Sequence, residues 1–124
     1  MNWEHGHSYT RDDIHAALGG SRQTFLPSKN REVVAACLRM DLNPGAPNIM
    51  LPGHGQEKQR AADWLSTHPS HVFPVFLKRA TNQWEYIGRY CCERWTDAPD
   101  EIREWSRRSG RQDIYRILFL KAVD

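Results

Sequence analysis

The stretch "TFLPSKNREVVAACLRMDLNPGAPNIMLPG", Thr24 to Gly53, decides the fold. It opens like a β-hairpin. "QTFLP" and "EVVAACLRM" read as two strands joined by the polar turn "SKNR". The second strand then breaks into "DLNPGAP", a loop carrying the carboxylate of Asp41, the amide of Asn43 and the stiffening Pro44 and Pro47. A short strand, "NIML", follows and is broken by "PGHG". A stiff polar loop directly after a buried strand has two readings. It turns the chain through an Asx turn, for which Asp and Asn are preferred. Or it is a pocket floor, whose preorganised polar groups lose less entropy on binding.

Upstream, residues 1–8 read as a flexible tail and residues 9–124 as one domain, the natural count for 124 residues. "YTRDDIHAALGG" reads as a short helix. Thr10 caps it, Asp12 and Asp13 suit its positive end, and Gly19 and Gly20 end it. Downstream, "QEKQRAADWLSTH" reads as a second helix, with Ala61, Trp64 and Leu65 on one face. "HVFPVFLKRA" and "WEYIGRYCCERW" read as strands joined by the turn "TNQ". Pro74 and Gly88 mark edge or bulge positions in them. "TDAPDEIREWSRRSG" reads as a third helix, with Asp97 as its cap and Gly110 as its end. "DIYRILFLKAV" is a last strand. About six strands and three short helices without strict βαβ alternation predict an α+β fold. A small, strongly bent mixed sheet or pseudo-barrel disposes of the sheet edges.

Composition narrows the function. With 40% hydrophobic and 26% charged residues, the chain reads as an ordinary folded protein. No apolar run approaches the roughly 20 residues of a membrane helix. No secretory signal is visible. The expected location is intracellular: nuclear if the source is eukaryotic, cytoplasmic if bacterial. Cys37, Cys91 and Cys92 lack a disulfide framework. The histidines give no metal-ligand spacing, and no cofactor motif is present. The formal charge is only +2, but the 17 basic residues comprise 13 arginines and 4 lysines. Arginine forks suit phosphate and carboxylate. Enzyme signatures are absent: no nucleophile elbow, no phosphate-binding glycine loop and no zinc-deaminase pattern. The expectation is a binding protein, not an enzyme.

Three places carry candidate chemistry. In "QWEYIGRY", strand alternation puts Trp84, Tyr86 and Tyr90 on one side, with Gly88 between them. That side is core, or a stacking wall for a flat ligand. In "SRQTFLP", Phe25 stands beside Arg22, Gln23 and Thr24. It is a core residue at a strand entry, or an aromatic plate that grips a nucleobase while its neighbours bond the edge. In the loop, Asp41 and Asn43 offer a carboxylate and an amide suited to the Watson–Crick edge of a cytosine.

Taken together, "YTRDDIHAALGGSRQTFLP", "VVAACLRMDLNPGAPNIML" and "PVFLKRATNQWEYIGRY" resemble the PUA-like superfamily, near the SRA (SET-and-RING-associated) and EVE domains. The resemblance spans roughly Tyr9 to Asp124. It implies a reader of modified bases: SRA domains flip a modified cytosine from duplex DNA into a pocket. There, aromatic rings sandwich the base and an Asp reads its edge. Carried onto this sequence, Phe25, Trp84 and Tyr86 are the plates and Asp41 is the edge reader. Arg22 beside Gln23 would satisfy an oxidised substituent such as a 5-carboxyl, so 5-carboxylcytosine or 5-hydroxymethylcytosine is favoured. Arg79, Arg89 and Arg94 are the candidate phosphate contacts. The expected partner is DNA containing modified cytosine, bound by a monomer with no cofactor, no metal and no membrane. The alternatives are an RNA-binding PUA-like accessory domain, a small enzyme acting on a nucleobase-like ligand, and a protein-interaction module.

Overall fold

The computed structural model describes residues 2–123. In chain order the elements are β1 (Ser8–Tyr9), α1 (Arg11–Leu18), β2 (Ser28–Lys29), β3 (Glu32–Val33), β4 (Ala36–Leu38), β5 (Ile49–Met50), α2 (Gln56–Ser66), β6 (Phe73–Ala80), β7 (Gln83–Thr96), α3 (Pro99–Ser109) and β8 (Ile117–Val123). The main sheet is mixed, with order β4-β6-β7-β8-β5, and β1 adds a sixth strand against β7. Among the described residues, only the β4–β6 pair is parallel, and the sheet does not close on itself. The architecture is the expected α+β one. Among the described residues, no helix is long and apolar enough to cross a membrane.

The helices obey local chemistry. Thr10 and Asp13 form a reciprocal capping box at α1. α3 begins with Pro99 and ends at Gly110 in the left-handed region. Its N-cap is Ala98, not the expected Asp97. The Thr96 hydroxyl instead takes the Ala98 N–H.

The opening hairpin is shorter than its sequence suggests. β2 and β3 turn through Asn30 and Arg31, both at positive φ, as a two-residue hairpin requires. Upstream, residues 21–26 form no strand because side chains capture the backbone. Ser21 Oγ accepts the N–H groups of Gln23 and Thr24, and Thr24 Oγ1 that of Leu26. "EVVAACLRM" splits at Val34, whose N–H turns back to Pro27.

Buried side chains form clusters on both faces of the sheet. Val75 and Leu77 of β6 pack in one, with Leu65 of α2, and Phe76 packs in the other. A bulge in β7 governs which aromatic joins which. Val75 pairs with Gly88, but Phe76 pairs with Tyr86, leaving Ile87 as the extra residue. Side-chain parity therefore flips at Ile87. Trp84 and Tyr86 join Phe76, while Tyr90 joins Val75 on the other face. The expectation of one continuous aromatic side fails for this reason.

The segment before β1, expected as a tail, lies against the sheet. The Trp3 ring meets Tyr9 edge-on at 4.8 Å and Phe76 at 5.0 Å. The Gly6 N–H donates to the Tyr86 carbonyl, and the Tyr86 N–H to His7. Cys37, Cys91 and Cys92 are free thiols. Cys37 and Cys92 are buried, and Cys91 is half-buried.

Candidate functional site

A cleft of about 280 Å³ opens where α1, the Ser21–Phe25 segment, β4 and the "DLNPGAP" loop converge. That volume is near the lower bound of the roughly 300–1,000 Å³ usual for small-molecule sites. Phe25 and Trp84 bring aromatic surface to it. Gln23 and Thr24 bring polar groups, and Cys37 and Leu51 bring apolar ones. Its remaining wall is built by Arg11, Arg39, Lys58 and Arg111, beside Leu42, Asn43 and Gly53.

Two arginines clamp the loops that bound the cleft. Arg11 reaches back from the first turn of α1, and its Nη2 donates to the carbonyls of Ser21 and Thr24 at 2.8 and 2.9 Å. Its backbone N–H is held by Asn82 of the β6–β7 turn. Arg111, after α3, donates from Nη1 to the carbonyls of Leu42 and Leu51 at 3.0 and 2.7 Å. Asn43 completes the second clamp. Its amide donates to the Arg39 carbonyl, and its side-chain oxygen accepts the Leu51 N–H. A Cβ at Gly53 would lie 2.5 Å from Asp113 Oδ2 and 3.1 Å from Arg111 Nη2, so a larger residue there would displace the Arg111–Asp113 pair.

Among the described residues, the lining includes four cations and no carboxylate. Two of the cations have acidic partners outside it. Arg39 pairs with Asp41, and Arg111 with Asp113. Each arginine holds its partner's carboxyl below the usual aspartate range, chiefly through the side-chain hydrogen bond. Neither Arg11 nor Lys58 forms an ion pair among the described residues. At the Cys37 position, burial pushes the thiol up to about 12, against the opposing pull of Arg11. It is therefore protonated at neutral pH and is a poor nucleophile.

The structure brings together five of the base-binding candidates: Gln23, Thr24, Phe25, Asn43 and Trp84 all line the cleft. Three lie elsewhere. Arg22 is exposed and pairs with Asp12 at 2.8 Å. Asp41 points to a neighbouring shelf with Met40, Lys78 and Arg79. Tyr86 is buried under His5 beside Gly88, at a separate hollow that also includes Arg89. Asn43 lines the cleft, but its amide is spent on the loop backbone, so it shapes the floor and is not a free edge reader. The phosphate candidates are scattered. Arg79 pairs with Glu85 on the shelf, Arg89 lies at the hollow, and Arg94 stacks over Phe119 at 3.7 Å near the far end of β7.

The four lining cations were not singled out from sequence, though two signals were present. Arg-x-Asp occurs three times, at Arg11–Asp13, Arg39–Asp41 and Arg111–Asp113, and all three arginines line the cleft. Arg11 occupies the first turn of a helix, where the dipole disfavours a cation. A residue kept there against that preference has another task.

The comparisons agree with this architecture. Residues 8–116 match the model of the family described as "Domain of unknown function (DUF6697)", and the chain belongs to that family. No curated protein sequence matches it significantly. Among solved structures, the chain resembles the SRA domain of SUVH5 in complex with hemimethylated CG DNA. The TM-score is 0.62 at 13% identity, over 99% of this chain and 90% of that one. It also resembles the sulfur-binding and SRA domains of ScoMcrA complexed with phosphorothioated DNA. There the TM-score is 0.54 at 14% identity, over 98% of this chain and 40% of that one. The type IV phosphorothioation-dependent restriction endonuclease ScoMcrA gives a TM-score of 0.53 at 15% identity, over 97% of this chain and 28% of that one. The fold is SRA/PUA-like.

Proposed function

We propose that this protein is a DNA-binding reader of a modified cytosine, which it takes flipped from the duplex into the cleft. The observation that carries the reading is the lining of the cleft. Phe25 and Trp84 supply flat faces, the Gln23 amide makes no bond within the chain among the described residues, and cations surround them. A flipped base needs stacking surfaces and groups that bond its edge. The SRA-like neighbours, solved with hemimethylated or phosphorothioated DNA, support the same class of partner. Gln23 and Thr24 replace Asp41 as the edge readers.

An oxidised substituent, as in 5-hydroxymethylcytosine or 5-carboxylcytosine, suits the cations and the Gln23 amide of this lining better than a methyl group does. Reading without catalysis fits the protonated Cys37 thiol, the cleft's one cysteine among the described residues.

The test is a binding panel of duplexes that differ only at the cytosine 5-position. It includes a mismatched version of each and a matched RNA. The expected result is preference for an oxidised cytosine in DNA, strengthened by the mismatch because less pairing opposes flipping. Affinity indifferent to both the 5-position and the mismatch would overturn base flipping. Tighter binding of the RNA would favour the PUA-like accessory role.

A further inference from the structure

Among the described residues, two buried arginine Nε atoms lack a hydrogen-bond partner: those of Arg11 and Arg116. Their settings differ. Arg116 is neutralised by Asp63 at 2.9 Å and lies over the Trp95 ring. Arg11 is only 8% exposed, yet its nearest polar partners are two neutral carbonyls, and no carboxylate of the described residues pairs with it. The Trp84 ring, 5.4 Å from its guanidinium carbon, gives partial compensation at most. A buried charge without a counter-ion is costly. This one lines the cleft, along with Lys58, which forms no ion pair among the described residues although its charge is felt by Asp113.

We infer that the cleft is an anion seat: its occupant carries a negative group that neutralises Arg11, with Lys58 at the rim as the second cation. The inference rests on the reading of the cleft as the seat of a flipped nucleotide, and it adds the charge that this nucleotide presents. Two sources supply the same chemistry. One is a carboxylate on the base, and the other is the backbone phosphate of the flipped nucleotide. A charge-assisted bond from a planar guanidinium serves either.

The experiment uses the whole chain and four duplexes. The target cytosine carries a 5-carboxyl or a 5-methyl group, and its adjoining linkage is a phosphate or a neutral methylphosphonate. Affinities are measured for the wild type, Arg11→Gln and Lys58→Gln. Gln retains an amide to bond the Ser21 and Thr24 carbonyls while removing the charge. If the base supplies the anion, the wild type prefers 5-carboxyl over 5-methyl by about tenfold or more. Arg11→Gln abolishes that preference, Lys58→Gln reduces it, and the methylphosphonate has little effect. If the phosphate supplies it, the methylphosphonate weakens wild-type binding by a similar factor. It then costs Arg11→Gln almost nothing, whatever the 5-substituent.

Circular dichroism melting certifies each variant. Lys58 makes no side-chain hydrogen bond or ion pair among the described residues, so Lys58→Gln gives the readout even where Arg11→Gln fails to fold. Duplex binding in which the folded variants keep every wild-type preference would overturn the anion seat and leave the reader intact. Failure of folded wild type to bind any of the duplexes would overturn both.

Discussion

The side-chain oxygen of Asn43 accepts the backbone N–H of Leu51 at 2.9 Å, closing the "DLNPGAPNIM" loop across its mouth. Asn43 is only 5% exposed, and its amide nitrogen is committed to the Arg39 carbonyl. The loop's stiffness is thus built from side-chain bonds to backbone as well as from its prolines. Asn43→Ala strands a buried N–H and should cost about 1–3 kcal/mol. Equilibrium urea unfolding measures it; a change smaller than a few tenths would remove Asn43 from this role.

Asp41, two residues earlier, should behave in the opposite way. It is exposed and pairs with an exposed arginine. Asp41→Ala is expected to change stability by no more than about 0.5 kcal/mol. It should also leave discrimination at the cytosine 5-position unchanged, since Asp41 faces the shelf and not the cleft. A selective loss of binding to modified DNA would restore Asp41 as the edge reader.

Phe25 and Trp84 should separate under truncation. Trp84 is 7% exposed and belongs to a buried cluster as well as to the cleft. Trp84→Ala should cost about 3–5 kcal/mol and lower the melting temperature clearly. Phe25 is half-buried and only packs against the edge of the core. Phe25→Ala should weaken binding by a larger fraction than it lowers stability. Melting curves and duplex titrations on both variants decide this. Equal losses of stability would make Phe25 another core residue.

Stability should fall at both ends of the pH scale. At the acid end, the folded state lowers the Asp113 carboxyl through Arg111. Its contribution is present above the ordinary aspartate value of about 3.9. It is lost as pH falls through the depressed one. At the alkaline end, burial raises Cys37 from 9.0 to about 12 and Cys92 to about 11. Those neutral thiols favour the fold fully below 9.0, and the advantage is lost as pH rises through their folded values. Urea midpoints from pH 7 to 11 should decline, and Cys37→Ala should flatten the decline. In the native protein at pH 8, Cys91 should be alkylated first. Faster modification of Cys37 would contradict its burial.

The helices and the long strands were legible because their signals are local. Thr10 and Asp13 announce α1, Pro99 and Gly110 bracket α3, and the segments either side of the "TNQ" turn have strand chemistry. Gly88 signalled a bulge in its strand, but not which neighbouring residue would be the extra one. Ile87 looks like any strand residue, yet as the bulged position it sends Tyr86 and Tyr90 to opposite faces. The side chains that assemble the cleft were hidden for a related reason. Gln23, Thr24 and Phe25 were visible as a group because they are neighbours in sequence. Arg11 and Arg111 act on carbonyls of other segments, and no spacing records that.

The Arg111 clamp has a bearing on biosynthesis. The carbonyls it holds belong to Leu42 and Leu51, which precede it by 69 and 60 residues. At a translation rate of about 5–20 residues per second, the floor loop leaves the ribosome seconds before its clamp exists. Ligand-competent geometry is therefore a late property of the nascent chain. A ribosome-stalled chain ending before Arg111 would leave the "DLNPGAP" segment to its own prolines, its local backbone bonds and Asn43.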